Sequence, residues 1–262
     1  MRHRTMVSSV VFTLAIAGCD TDRVAAPGDN PAVIDAPAAA RAGSQVVKAS
    51  GDVRAAVAQF QSLLGDPSNG ITPGEQASGR REISWDGVPP ELTNTDALPA
   101  DQFKRNGLIY TIVGSGLRVT DNDFADINPT YADQFAPFSS PKTFAPIGSE
   151  VSEVTFRVAG SNTPAAVTGF GVVFSDVDRM GAASIKLFTA QGQSLGQYHA
   201  PIRSDENGQS FLGVVFDEAI VARVVITSGQ APLGAKEFDV SDGGNRDLVV
   251  FDNILFGEPR AF

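Results

Sequence analysis

The side chains best suited to chemistry in this sequence are carboxylates. Asp176 and Asp178 follow Phe170, Val172 and Phe174 at every second position, so all five share one face of a strand. The apolar members point to a core, which leaves the two carboxyls at a rim or buried and paired. Asp239, Asp242, Asn245 and Asp247 crowd a glycine-containing loop. Calcium takes about six to eight oxygens from carboxylates, amides and carbonyls. If the sheet brings the end of the 170s strand to that loop, the constellation suffices. The same residue types also cap backbone N–H groups in ordinary turns, and that use is the commoner one. Asp252 and Asn253 lie inside a third segment, Asp247–Gly257. An unpaired carboxylate there would cost several kcal/mol, so it must meet backbone groups, a bulge or a cation. The expected metal set is Asp176, Asp178, Asp242, Asp247 and Asp252, with structural calcium as the cofactor. Asp121-Asn-Asp-Phe-Ala-Asp126 lacks the glycine and ligand spacing of an EF-hand.

A glycan site would need amphipathic aromatics with polar neighbours, and Trp85, Tyr110, Tyr131 and Tyr198 are the supply. Tyr131, Tyr198 and Trp85 are the candidate ligand-binding residues, although Trp85 shares a face with Ile83 and so suits a core. Tyr131 sits in a long stretch, Asp121–Lys142, whose phenylalanines suggest packing over a sheet. Catalytic readings find little. His199 is the one histidine beyond the first few residues, no nucleophile-elbow sequence marks a serine, and no phosphate-cradling glycine motif occurs. A zinc site of histidines and cysteines is excluded by count. No catalytic residue is assigned. A carboxylate-based glycan hydrolase needs two facing acids, and nothing in the sequence selects a pair.

The N-terminus states a location. Arg2, His3 and Arg4 precede an apolar run from Met6 to Ala17, too short to span a bilayer and typical of a secretory signal. Ile16-Ala-Gly-Cys19 resembles the lipobox of bacterial lipoproteins. That resemblance implies cleavage before Cys19, acylation of its sulfur and its new amine, and a membrane anchor with several chains. Residues 1–18 are thus the signal, and Cys19 is the lipidation site. It is also the sole cysteine, so the chain forms no internal disulfide. Asp20 follows it, a residue type that favours inner-membrane retention in enteric bacteria, and which membrane holds the anchor stays open.

The net charge is −10, and loss of the first 18 residues, with two arginines and no acid, leaves −12. Nucleic acid is therefore excluded as a partner, because phosphate neutralisation needs clustered Lys and Arg. Residues 19–50, rich in Ala, Pro, Gly and Asp, are expected to be a disordered tether with a reach of roughly 30 Å. Residues 51–79 supply a short helix and a linker. Asp52 is its expected N-cap, Val53, Val57, Phe60 and Leu64 its apolar stripe, and Gly65 its end.

From residue 80 to 259 the pattern is strands and turns. Val151–Val158 alternates cleanly, and Val167–Asp178 is a second long apolar strand. Three hairpins are expected: Leu108–Val113 with Leu117–Thr120, Ser184–Thr189 with Ser194–Ala200, and Phe211–Asp217 with Ile220–Thr227. Asp247–Gly257 is apolar on both faces and should be a central, covered strand. On strict alternation, Val249, Phe251, Asn253 and Leu255 share one face, and Leu248, Val250, Asp252, Ile254 and Phe256 the other. About ten strands without intervening helices give an all-β fold: an antiparallel jelly-roll-like β-sandwich with a short N-terminal helix packed on it.

GRREISWDGVPP at 79–90, GFGVVFSDVD at 169–178 and DLVVFDNILFGEP at 247–259 resemble an uncharacterised family of bacterial secreted proteins. That similarity covers residues 51–259 and implies a shared domain and export rather than an activity. More distantly, Asp252-Asn-Ile254 followed by Phe256 is similar to the last strand of galactose-binding-like carbohydrate-binding modules. There an acidic residue of that strand often joins a structural calcium site. The expected function is a lipid-anchored, non-catalytic cell-envelope module that binds a glycan or envelope component. The alternative is a structural or partner-binding lipoprotein without a small-molecule site, and a glycan hydrolase ranks third.

Overall fold

The computed structural model describes residues 43–205 and 207–262. The signal sequence, Cys19 and the tether as far as residue 42 lie outside the described residues. The strands are β1 (Ser44–Ser50), β2 (Arg80–Ile83), β3 (Leu108–Thr111), β4 (Gly116–Thr120), β5 (Thr143–Ile147), β6 (Val151–Arg157) and β7 (Pro164–Ala166). They continue with β8 (Gly169–Ser175), β9 (Ala183–Phe188), β10 (Ser194–His199), β11 (Gln209–Phe216), β12 (Arg223–Ser228), β13 (Val250–Gly257) and β14 (Arg260–Ala261). The helix α1 spans Arg54–Leu64.

The strands form two antiparallel sheets packed face to face. The first has the order β1-β11-β8-β13-β5-β4, with β2 also paired to β13. The second has the order β10-β9-β12-β6-β7-β14, with β3 also paired to β6. Residues from the inner faces of both sheets, such as Phe156, Phe170, Phe174, Ile185, Val224 and Phe251, make one buried core. The outer face of the first sheet is covered as well. Phe60 and Val57 of α1 pack on Val173, Phe211 and Leu255. Farther along, Phe124, Tyr131 and Phe135 of the 121–142 segment pack on Leu248 and Val250. That double cover explains why every residue of β8 and β13 is buried.

Gly171 and Gly213 form the slot for α1. A Cβ on Gly171 would stand 2.6 Å from the Phe60 ring, and one on Gly213 would stand 2.7 Å from it. The helix starts later than expected. Val53 is its N-cap, and no side chain caps it. Asp52 instead accepts a bond from the Arg54 N–H at 3.2 Å.

Several expectations need correction. Residues 44–50 are not tether: they form β1, paired along its length with β11. Two of the three hairpins do not form. β3 pairs with β6 in the second sheet, whereas β4 pairs with β5 in the first. Likewise β11 lies in the first sheet and β12 in the second. At both places the chain crosses between layers, and of the three expected hairpins the β9–β10 pair alone closes. At the first crossing Gly114 lies against the Ile147 carbonyl too closely for any side chain, so its glycine serves packing and not a two-strand turn.

Residues 66–79 are a fastened loop rather than a free linker. Their anchor is a buried ion pair between Arg81 and Glu258. Arg81 Nε and an Nη donate to the two Glu258 oxygens at 2.8 and 2.7 Å. Asn69 Nδ2 and the Gln76 N–H donate to the same carboxylate at 2.9 and 3.1 Å.

The alternation along β13 breaks in the middle. Its register against β8 shifts between Phe251 and Ile254. The extra residue sends Val249, Phe251, Ile254 and Phe256 into the core between the sheets, while Leu248, Val250 and Leu255 face outward. The bulge turns Asp252 and Asn253 toward the 121–142 segment. Asp252 Oδ2 accepts the Ser139 N–H at 2.7 Å, and Asn253 Oδ1 accepts the Ser139 hydroxyl at 2.7 Å. Asn253 Nδ2 donates to Glu82 at 2.8 Å.

Candidate functional site

One end of the sandwich, where β8 stops and β13 begins, gathers the acids singled out above. β8 ends at Ser175, and Asp176 turns the chain outward at φ +68°, a left-handed conformation that aspartate tolerates better than most residues. Asp176, Asp178 and Asp239 each offer an oxygen, all within 4.8 Å of one another. Asp176 and Asp239 are buried, and Asp178 is half-buried, so the group opens toward solvent on the Asp178 side.

Asp176, Asp239 and Asp247 also have structural bonds. Asp176 Oδ2 accepts from Gln134 Nε2, and Gln134 bonds Ser241 Oγ at 2.9 Å. Asp239 Oδ1 accepts the Leu248 N–H at 2.7 Å, and its Oδ2 accepts the N–H and hydroxyl of Ser241 at 2.7 and 2.8 Å. Asp247 Oδ2 accepts the backbone N–H groups of Asp178 and Arg179 at 3.0 and 2.6 Å. The other oxygens of Asp176 and Asp247 are buried with no hydrogen-bond partner among the described residues.

The electrostatics follow from that crowding. Burial pushes the Asp176 carboxyl up to about 8; Gln134 pulls it down, and the charges of Asp239, Asp178 and Asp247 add to the rise. Burial likewise raises Asp247 to about 7 against the pull of the Arg179 and Asp178 N–H groups. Asp178 is raised by burial, then by the charge of Asp239 and a hydrogen bond to it. Hard oxygen donors on a cramped, anionic site suit calcium better than a transition metal.

Asp242 and Asp252 do not belong to this group. Asp242 is exposed and lines an open, polar cleft of about 360 Å³ with Pro129, Thr130, Asp133 and Gln134. Gln134 therefore stands between that cleft and the acids. Asp252 sits at the β13 bulge, and burial raises its carboxyl to about 8 despite the Ser139 N–H. Asp239 takes the place given to Asp242 in the expected set. Gln134 was not anticipated, and no spacing in the sequence marks it.

The aromatic candidates are not a stacking platform. Trp85 is buried and stacked on Phe144 at 4.4 Å between ring centroids. Tyr131 is fully buried, with its hydroxyl donating to the Glu237 carbonyl at 2.9 Å. Tyr198 is buried, and its hydroxyl reaches the Leu195 carbonyl at 3.3 Å. The Tyr131 hydroxyl thus holds the 230s loop, the Tyr198 hydroxyl bonds within its own strand β10, and the Trp85 Nε1 is buried without a partner among the described residues.

No protein-family model matches the chain, and no curated protein matches it. Among solved structures, it is similar to the enzymatically active domain of tailspike protein 4 of bacteriophage CBA120. The identity is 12% and the TM-score 0.28, over 65% of this chain and 22% of that one. The chain thus corresponds to less than a quarter of that protein's length, and an overlap this slight adds nothing to the account of the site.

Proposed function

We propose that the protein is an exported, lipid-anchored β-sandwich that works as a non-catalytic binding module of the cell envelope. Its binding face would be the loop end around Gln134 and Asp242. The observation behind this reading is the open polar cleft lined by Thr130, Asp133, Gln134 and Asp242. Such a cleft suits hydroxyl-rich ligands, so glycan is favoured through hydrogen bonds rather than through aromatic stacking. The lipobox-like Ile16-Ala-Gly-Cys19 supports anchoring at Cys19, and the likeness of the three long motifs to secreted bacterial proteins supports export. Among the described residues no helix is long and apolar enough to cross a membrane, so the Cys19 lipid would supply the attachment. A hydrolase is disfavoured because both Asp239 oxygens are occupied and Asp176 is out of solvent's reach.

The experiment has two arms. Metabolic palmitate labelling of the native protein should mark wild type and not Cys19→Ala. The mature acylated chain in detergent should then bind a subset of glycans on an array, and Thr130→Ala with Asp242→Ala should abolish that binding. Retention of the same glycans by the double variant would refute the cleft. Co-purification of one envelope protein without any glycan signal would favour the structural alternative.

A further inference from the structure

We propose that Asp176, Asp178 and Asp239 form a binding site for one divalent cation of calcium's class, with Asp247 closing its inner edge. This does not depend on the glycan reading. A cluster of acids alone would not carry it, since loop carboxylates often do no more than cap turns. Two further features point to a ligand. Asp176 and Asp247 are fully buried, yet each keeps an oxygen with no partner among the described residues. A buried, unsatisfied carboxylate oxygen is costly, and folds rarely retain one without a cation, water or proton to meet it. The second feature is the source of the donors. Asp176 and Asp178 come from the end of β8, and Asp239 comes from a loop some sixty residues later, held in place by Leu248 and Ser241. A cation would thus staple the 230–248 loop to the sandwich.

Three carboxylates, a reorienting Gln134 amide oxygen and water on the open Asp178 side can fill the about six to eight positions calcium takes. Gln134 is apt because its amide presents nitrogen or oxygen by a simple turn about its last bond. Burial and the charges of neighbouring acids raise Asp176, Asp178 and Asp247, with Arg179 and Asp205 as further charges acting on Asp178, and a bound cation would offset that repulsion.

The test uses the mature chain in detergent and calcium chloride itself. Titration calorimetry should give a single site. Melting with about 1 mM calcium should exceed melting with chelator by several degrees. Asp176→Asn should abolish the calcium response without lowering the metal-free midpoint, because the neutral amide keeps the side chain's shape and adds no charge to the acids around it. Asp178→Asn, at a half-exposed position, should weaken binding with the fold intact. Glu218→Gln, at the opposite end of β11, should respond as wild type does. Absence of any calcium effect on wild type would overturn the proposal. So would an unchanged response in Asp176→Asn and Asp178→Asn.

Discussion

Replacing Glu258 by glutamine attacks the buried bond between the first and last motifs. Glu258 and Arg81 side chains are 2% and 0% exposed, and the carboxylate receives four N–H donors in all. Glutamine keeps one acceptor oxygen and turns an NH2 toward donors, while the guanidinium stays buried without its counter-charge. Removing one partner of such a pair costs about 3–5 kcal/mol, whereas exposed pairs contribute about 0–1. For a domain of this size each kcal/mol moves the midpoint by about 2–4 °C, so Glu258→Gln should melt roughly 10 °C lower. Urea unfolding followed by the fluorescence of Trp85, the sole tryptophan, reads the change directly. Added salt should not restore the loss, because buried charges are poorly screened. The paired replacement Arg81→Met with Glu258→Met should be less destabilised than Glu258→Gln. A cost below about 1 kcal/mol for Glu258→Gln would refute the reasoning, for it would mean that the pair is wet.

Other expectations follow from the same structure. Gly171→Ala drives a methyl into Phe60 and should cost about 1–3 kcal/mol in urea melts, while Phe60→Ala should cost about 3–5 and expose α1 to limited proteolysis. Tyr131→Phe removes the hydroxyl that holds the Gly234 and Glu237 carbonyls and should cost about 1 kcal/mol, seen as faster proteolysis in the 230s loop. The metal-free protein should lose stability as pH rises from about 4 to 8. Asp176, Asp247 and Asp252 have folded values raised to about 8, 7 and 8, so the native state holds more protons than the unfolded one across that window. Calcium should flatten the part of this slope that comes from Asp176 and Asp247, and calorimetric melts across pH check both statements.

How much of this was legible in the sequence varies by element. The apolar run of β13 marked a strand buried on both faces, since continuous hydrophobicity suits two covers, and that of β8 marked a strand whose second cover the sequence reading did not foresee. The helix stripe of Val57, Phe60 and Leu64 was equally clear. The face assignment along β13 failed after Phe251 because a bulge leaves no periodic trace; Asp252-Asn253, the two polar residues there, were the sole hint. Two hairpins were misjudged because a short turn between strands looks the same whether the second strand pairs with the first or crosses to the other sheet. β1 was lost because Gln45-Val-Val-Lys48 is brief and follows an Ala- and Pro-rich stretch. At the site, Asp176 and the 239–247 loop were recognisable by composition. The choice of Asp239 over Asp242 was not, because it depends on which side chain the Ser241 and Leu248 N–H groups hold inward. Trp85, Tyr131 and Tyr198 were the natural candidates for a glycan platform, yet the double-covered sheet and its loops use all three internally.

The most direct check is a crystal structure of the calcium-soaked mature protein, read at the loop end for anomalous signal. The account expects a peak among Asp176, Asp178 and Asp239 with oxygen neighbours at about 2.3–2.6 Å, including the Asp176 oxygen that otherwise lacks a partner. A hydrogen-bonded water there, with no anomalous signal and the acids left in their metal-free arrangement, would contradict it.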